Sequence, residues 1–81
     1  GTSKRRQDLE QDLKDWLQTL VTKMQNPDPT LVATRPLREG LVTVEEVPEN
    51  PGYFRVSMAV MPHFQIEGID LKLSLVSQLP A

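Results

Sequence analysis

The sequence contains no cysteine and a single histidine, His63. Disulfides are therefore excluded, and so is a zinc site, which needs several Cys or His ligands. Carboxylates remain as metal ligands, but no D-x-D-x-D-G calcium loop is present. Nucleophilic catalysis fares no better. A serine triad would have to join His63 to Ser57, Ser74 or Ser77, with no G-x-S-x-G elbow to present the hydroxyl. His63 reads instead as a strand-end residue that hydrogen-bonds backbone in a turn. No catalytic residue, metal or cofactor is expected.

Other scarcities narrow the field further. The glycines are isolated, so no loop cradles a phosphate. Aromatic residues make up only 5% of the chain, too few for a base-stacking platform. Nine Lys+Arg against eleven Asp+Glu leave a net charge of −2, which offers no bulk attraction to nucleic acid. Lys4-Arg5-Arg6, with Arg35 and Arg38, reads as solvated charge. The acids Glu45, Glu46 and Glu49 gather at one strand end, where adjacent residues point to opposite faces and make no catalytic pair. No apolar run of about 18 residues could cross a bilayer, and GTSKRRQDLEQ has no signal-peptide core. Gly1-Thr2-Ser3 reads as an expression-vector remnant or a cut point, so a piece of a larger protein is expected.

Eighty-one residues allow one small domain. At 38% hydrophobic the core must be thin, and with disulfides and metals excluded, partner chains are the remaining source of burial.

What is present is periodic. Leu9, Leu13, Trp16, Leu17, Leu20, Val21 and Met24 form one helical stripe. Thr2 or Ser3 can cap it, Asp8, Glu10 and Asp12 sit early, and Asn26-Pro27 ends it. The pattern predicts a helix over 5–25, with Trp16 in the core. Residues 26–40 read as a linker, stiffened by two prolines in NPDPT and holding at most a turn that starts at Pro36. LVTVEEV (41–47) reads as a strand and PENPG (48–52) as a turn. Strand 53–61 alternates with Phe54, Val56, Met58 and Val60 on one face. Strand 69–77 turns Ile69, Leu71, Leu73 and Leu75 inward. The fold class is α+β: one amphipathic N-terminal helix packed on a three-stranded antiparallel meander.

A three-stranded sheet has two edges, and unpaired edges invite added strands. The apolar content runs on through Val76 and Leu79, which suits a joint made by β-augmentation with another chain.

DWLQTLV, PLREGLVTVEEVPENPGYFRVSMAV and PHFQIEGIDLKLSLVSQLP, in this order, resemble the C-terminal region of the large contractile-sheath subunit of the bacterial type VI secretion system, the TssC/VipB family. The likeness extends from about residue 8 to the end. It implies a bacterial, cytoplasmic structural protein rather than an enzyme, in a sheath built on a membrane-anchored baseplate. The implied partners are the small sheath subunit (TssB/VipA family), neighbouring copies of the large subunit and the hexameric inner-tube protein. Nucleic acid and membrane insertion are not expected. On this sequence the resemblance implies that 53–61 and 69–77 form an inner-layer hairpin that joins neighbours by strand exchange. Phe54, Val56, Met58, Val60, Ile69, Leu71, Leu73 and Leu75 would line that pairing. A charged helix face with Lys4, Arg5, Arg6, Glu10, Asp12, Lys14 and Asp15 would look towards the inner tube. Two other readings stay open: a sheath or baseplate protein of a phage-tail-like contractile machine, and a free-standing peptide-binding module with an open sheet edge.

Overall fold

Leu9, Leu13 and Leu17, spaced four apart, line one side of helix α1, Thr2–Gln18. The structure, a computed structural model, describes residues 2–81, with side chains from Ser3 on. Gly1 and the Thr2 hydroxyl, the first residue of the expected remnant and one of the two expected caps, lie outside that description. Ser3 sits inside the first helical turn rather than capping it.

The helix stops seven residues short of the expected end, for a tertiary reason. Its last turn tightens into i→i−3 bonds, from Thr19 N to Trp16 O, Leu20 N to Leu17 O and Val21 N to Gln18 O. The β-branched run beyond it then extends and pairs elsewhere. Leu37 N donates to Leu20 O at 3.0 Å, and Thr22 N donates to Leu37 O at 2.9 Å. Val21 thus makes a parallel bridge with Leu37. Arg35 Nη1 donates to Val21 O at 3.0 Å, satisfying a carbonyl just beyond the helix end. Leu20, Val21 and Met24, expected on the helical stripe, are not on the helix.

The expected linker over 26–40 is also corrected. Pro29–Thr34 form a short helix, α2. Asp28 caps it by accepting Leu31 N at 2.9 Å, and Pro29 occupies the first turn, where its missing N–H costs nothing. Strand β1 begins at Leu37, four residues earlier than expected, and runs to Glu46. A β-bulge interrupts its register between Leu37 and Glu39.

The turn expected over 48–52 is present, with Gly52 at φ +94°. Strand β2, Tyr53–Pro62, pairs antiparallel with β1. The final alternating run is split. Gln65–Ile66 (β3) and Ile69–Asp70 (β4) make a miniature hairpin, and only Leu73–Pro80 (β5) joins the main sheet. Glu67 at φ 51° and Gly68 at φ 78° supply the two left-handed residues of a type I′ turn. That turn takes Ile69 out of the ladder. The sheet order is β1-β2-β5, both pairs antiparallel. It is the expected α+β meander beneath one main helix.

The core lies between α1 and the β1–β2 half of the sheet. Leu17, Val42, Val44, Phe54 and Val56 are buried, with Leu9, Leu13, Leu37, Met58 and Val60 packed around them. Trp16 is 53% exposed, against the expectation of a core tryptophan. Successive helical residues turn by about 100°, and the line that meets the sheet is Leu13–Leu17, so Trp16 falls to its flank. Gly40 is where helix and strand come closest. A Cβ there would stand 2.7 Å from Leu17 Cδ2 and Cγ.

Candidate functional site

The direction of each backbone group along the sheet follows from four contacts. Val44 N donates to Glu10 Oε2 and Val44 O accepts from Arg6 Nη1, both at 2.8 Å. Both groups of Val44 therefore point away from β2, towards the outer edge of β1. Since direction alternates along a strand, Gly40 and Val42 share it, while Val56, opposite Val44, directs its groups to β5. His63 N donates to Pro36 O, which sets odd residues at the end of β2 towards β1. Ala81 N donates to Gly52 O, which sets odd residues at the end of β5 towards β2. Leu73, Leu75, Ser77 and Leu79 are thus bonded inward to β2. Ser74, Val76 and Gln78 offer their N–H and C=O groups outward, and Pro80 offers only a carbonyl.

The two edges differ in kind. On β1, Val44 is held by Arg6 and Glu10, and Leu37, brought into the outward phase by the bulge, is held by Leu20 and Thr22. Between them, Gly40 and Val42 open into a cleft of about 240 Å³ walled by Gln11, Lys14, Asp15 and Gln18. On β5 every residue is exposed. Register sets Leu73, Leu75 and Leu79 opposite Val60, Met58 and Phe54, so they continue the helix-side face of the sheet. They remain 54%, 63% and 40% exposed because α1 packs over the other half.

The expected pairing residues therefore divide into three groups. Phe54 and Val56 are buried in the chain's own core and Met58 and Val60 are half-buried beside it. Their backbone pairs with β5 of the same chain. Ile69 and Leu71 lie outside the β2–β5 ladder, Ile69 in the small hairpin, and neither joins an inward face with Leu73 and Leu75. Leu73 and Leu75 alone of the eight are both on the margin strand and exposed. Ser74, Val76 and Gln78 carry the outward groups, and of these only Val76 has a sequence signal, since side-chain alternation marks the leucines between them and not the direction of the backbone.

The charged helix face also divides. Lys4, Arg5, Lys14 and Asp15 are exposed. Arg6 and Glu10 are not on that open face but on the line facing β1, 3.5 Å apart, with Lys14 Nζ 3.3 Å from Glu10. The spacing 6, 10, 13, 17 places both charged residues on the same line as Leu13 and Leu17. That was the available signal. The Glu10 carboxyl is held below its ordinary range, first by the hydrogen bond from the Val44 N–H and then by Lys14 and Arg6, against the opposing effect of burial.

His63 holds structure together. Its Nε2 donates to Thr22 O at 2.9 Å, fastening the segment after α1 to the end of β2. Among the described residues no cluster of three His, Cys, Asp or Glu could hold a metal, and no helix is long and apolar enough to cross a membrane.

Comparison with known proteins supplies the context for this half-closed sheet. The chain is 37% identical, over its whole length, to the type VI secretion system sheath protein TssC1 of Pseudomonas aeruginosa, and it spans 16% of that protein. Residues 1–79 match the profile of the EvpB/VC_A0108 family, tail sheath gpW/gp25-like domain. The chain belongs to this family of type VI secretion sheath proteins.

Proposed function

We propose that this chain is the C-terminal, inner-layer part of a large sheath subunit, and that it joins neighbouring subunits through the free margin of β5. The single observation that carries this reading is the asymmetry of the sheet. One edge is closed in part by Arg6 and Glu10 of the chain's own helix, while the other is exposed along all of β5. An incoming extended segment would bond to Ser74, Val76 and Gln78. Its aliphatic side chains would continue the face of Leu73, Leu75 and Leu79. Pro80, which has no N–H, ends the pairing.

The donors are the small sheath subunit and neighbouring copies of the large one, in a sheath assembled in the bacterial cytoplasm. Main-chain bonding keeps such subunits linked while rigid bodies move between extended and contracted lattices. The role is structural rather than enzymatic. The exposed charges Lys4, Arg5, Lys14 and Asp15 face the inner tube in this reading.

Val76→Pro tests the proposal. It removes one outward N–H and leaves the β2–β5 ladder intact, whereas proline at Leu73 or Leu75 would break the chain's own sheet. Full-length subunit carrying Val76→Pro, co-expressed with the small subunit, should form no tubes by electron microscopy, while the isolated chain keeps its circular dichroism. Normal tubes would refute the β5 joint.

A further inference from the structure

Arg6 and Glu10 do to β1 what a neighbouring strand would do. One donates to the Val44 carbonyl and the other accepts the Val44 N–H, each at 2.8 Å. Without them the outward groups of Gly40, Val42, Val44 and Glu46 form an unbroken run in a β-branched stretch, the composition that pairs most readily. With them the run is cut to Gly40 and Val42, between closures at Leu37 and Val44.

We propose that the Arg6–Glu10 pair is a positioning device that selects the acceptor edge, denying β1 to strand addition so that β5 alone accepts. The occupant it excludes is β1 of a second copy. An antiparallel two-fold pairing centred on Thr43 sets Val42 against Val44, Leu41 against Glu45 and Gly40 against Glu46. No like charges stand directly opposite each other across that join, and Glu39 and Glu45 meet only on the diagonal, so charge repulsion gives little protection and the hydrogen-bonded pair must supply it. The choice of β5 as the joint rests on the function proposed above; the refusal by β1 does not.

The test uses the 81-residue chain carrying Val76→Pro, which closes β5, so that any association reports β1. With Arg6 and Glu10 intact this chain should sediment as a monomer. Adding Arg6→Ala and Glu10→Ala should produce a dimer at the same concentration, with the Val44 amide of the monomer exchanging about tenfold faster. Glu10→Gln keeps an acceptor for Val44 and should stay monomeric, an outcome that a merely stabilising salt bridge would not give. Should the double variant fail to fold, Glu10→Ala alone should speed Val44 exchange by a similar factor. A folded double variant that stays monomeric with Val44 fully protected overturns the proposal, and so does a Glu10→Gln chain that dimerises as strongly as the alanine variants. Failure of the β5 joint appears elsewhere, as normal tubes from the full-length Val76→Pro subunit, and leaves this measurement unaffected.

Discussion

At the residue scale, a few contacts decide how α1 meets the sheet. Leu17 is 1% exposed and lies directly over Gly40. The glycine is required by proximity rather than by backbone angle, since a methyl group there would stand 2.7 Å from Leu17 Cδ2 and Cγ. Gly40→Ala must push the helix off its seat, and overpacking of this kind costs about 1–3 kcal/mol. The expected outcome is a lower denaturation midpoint, with a larger loss than for alanine at Asp8 on the exposed side of α1. Trp16 makes the opposite point. It is the largest side chain on the helix and looked like an anchor, yet the anchoring falls to its neighbour Leu17. A rotation of one residue separates the two readings, and periodicity alone does not resolve it.

At the element scale, the main helix, β1, β2 and the last strand were legible, but α2, read as part of a linker, was not, nor were the places where segments exchange partners. The helix stripe, the turn at 48–52 and β2 were legible because each depends on local spacing or local turn chemistry. The early end of α1 was not, because residues 20–22 leave the helix to pair with Leu37, a contact seventeen positions from Leu20. The split of the last strand was not legible, because 69–77 alternates like one strand while the positive φ angles of Glu67 and Gly68 close a separate hairpin. The Arg6–Glu10 clasp was hidden by composition, since charges near a helix start normally face water.

That clasp also gives α1 a pH response. Glu10 is held below its ordinary value of 4.5, chiefly by the Val44 N–H, with Arg6 and Lys14 contributing from the helix. A lowered carboxyl contributes stability that is present above the ordinary value and is lost as pH falls through the folded value. Protection of the Val44 amide, corrected for intrinsic exchange, should therefore weaken below about pH 4.5. In Glu10→Gln the same amide should show no such step.

At the scale of the whole molecule, the chain is slender. Its Cα radius of gyration is 15.1 Å, and its principal extents are 44 × 23 × 14 Å. A compact domain of this length would have a radius near 12 Å. Among the described residues seven hydrophobic ones are buried against eleven large ones left exposed, which leaves a broad apolar surface open to a partner. Stability should accordingly depend on what is bound. The isolated chain should melt at a modest temperature, and a bound strand donor should raise the midpoint with concentration as mass action requires. A midpoint unchanged at saturating small subunit would contradict this, and calorimetric titration would show it.

The bulge between Leu37 and Glu39 sets the phase of the outer flank of β1. One surplus residue lets an odd-numbered position and an even-numbered one, Leu37 and Val44, both present their amides to the same flank. The segment after the helix and the helix itself can then lie down along a single border. Remove that half-step and the two would call for opposite sides of the ribbon, so the asymmetry between a covered margin and a bare one begins with a single irregular step in the backbone.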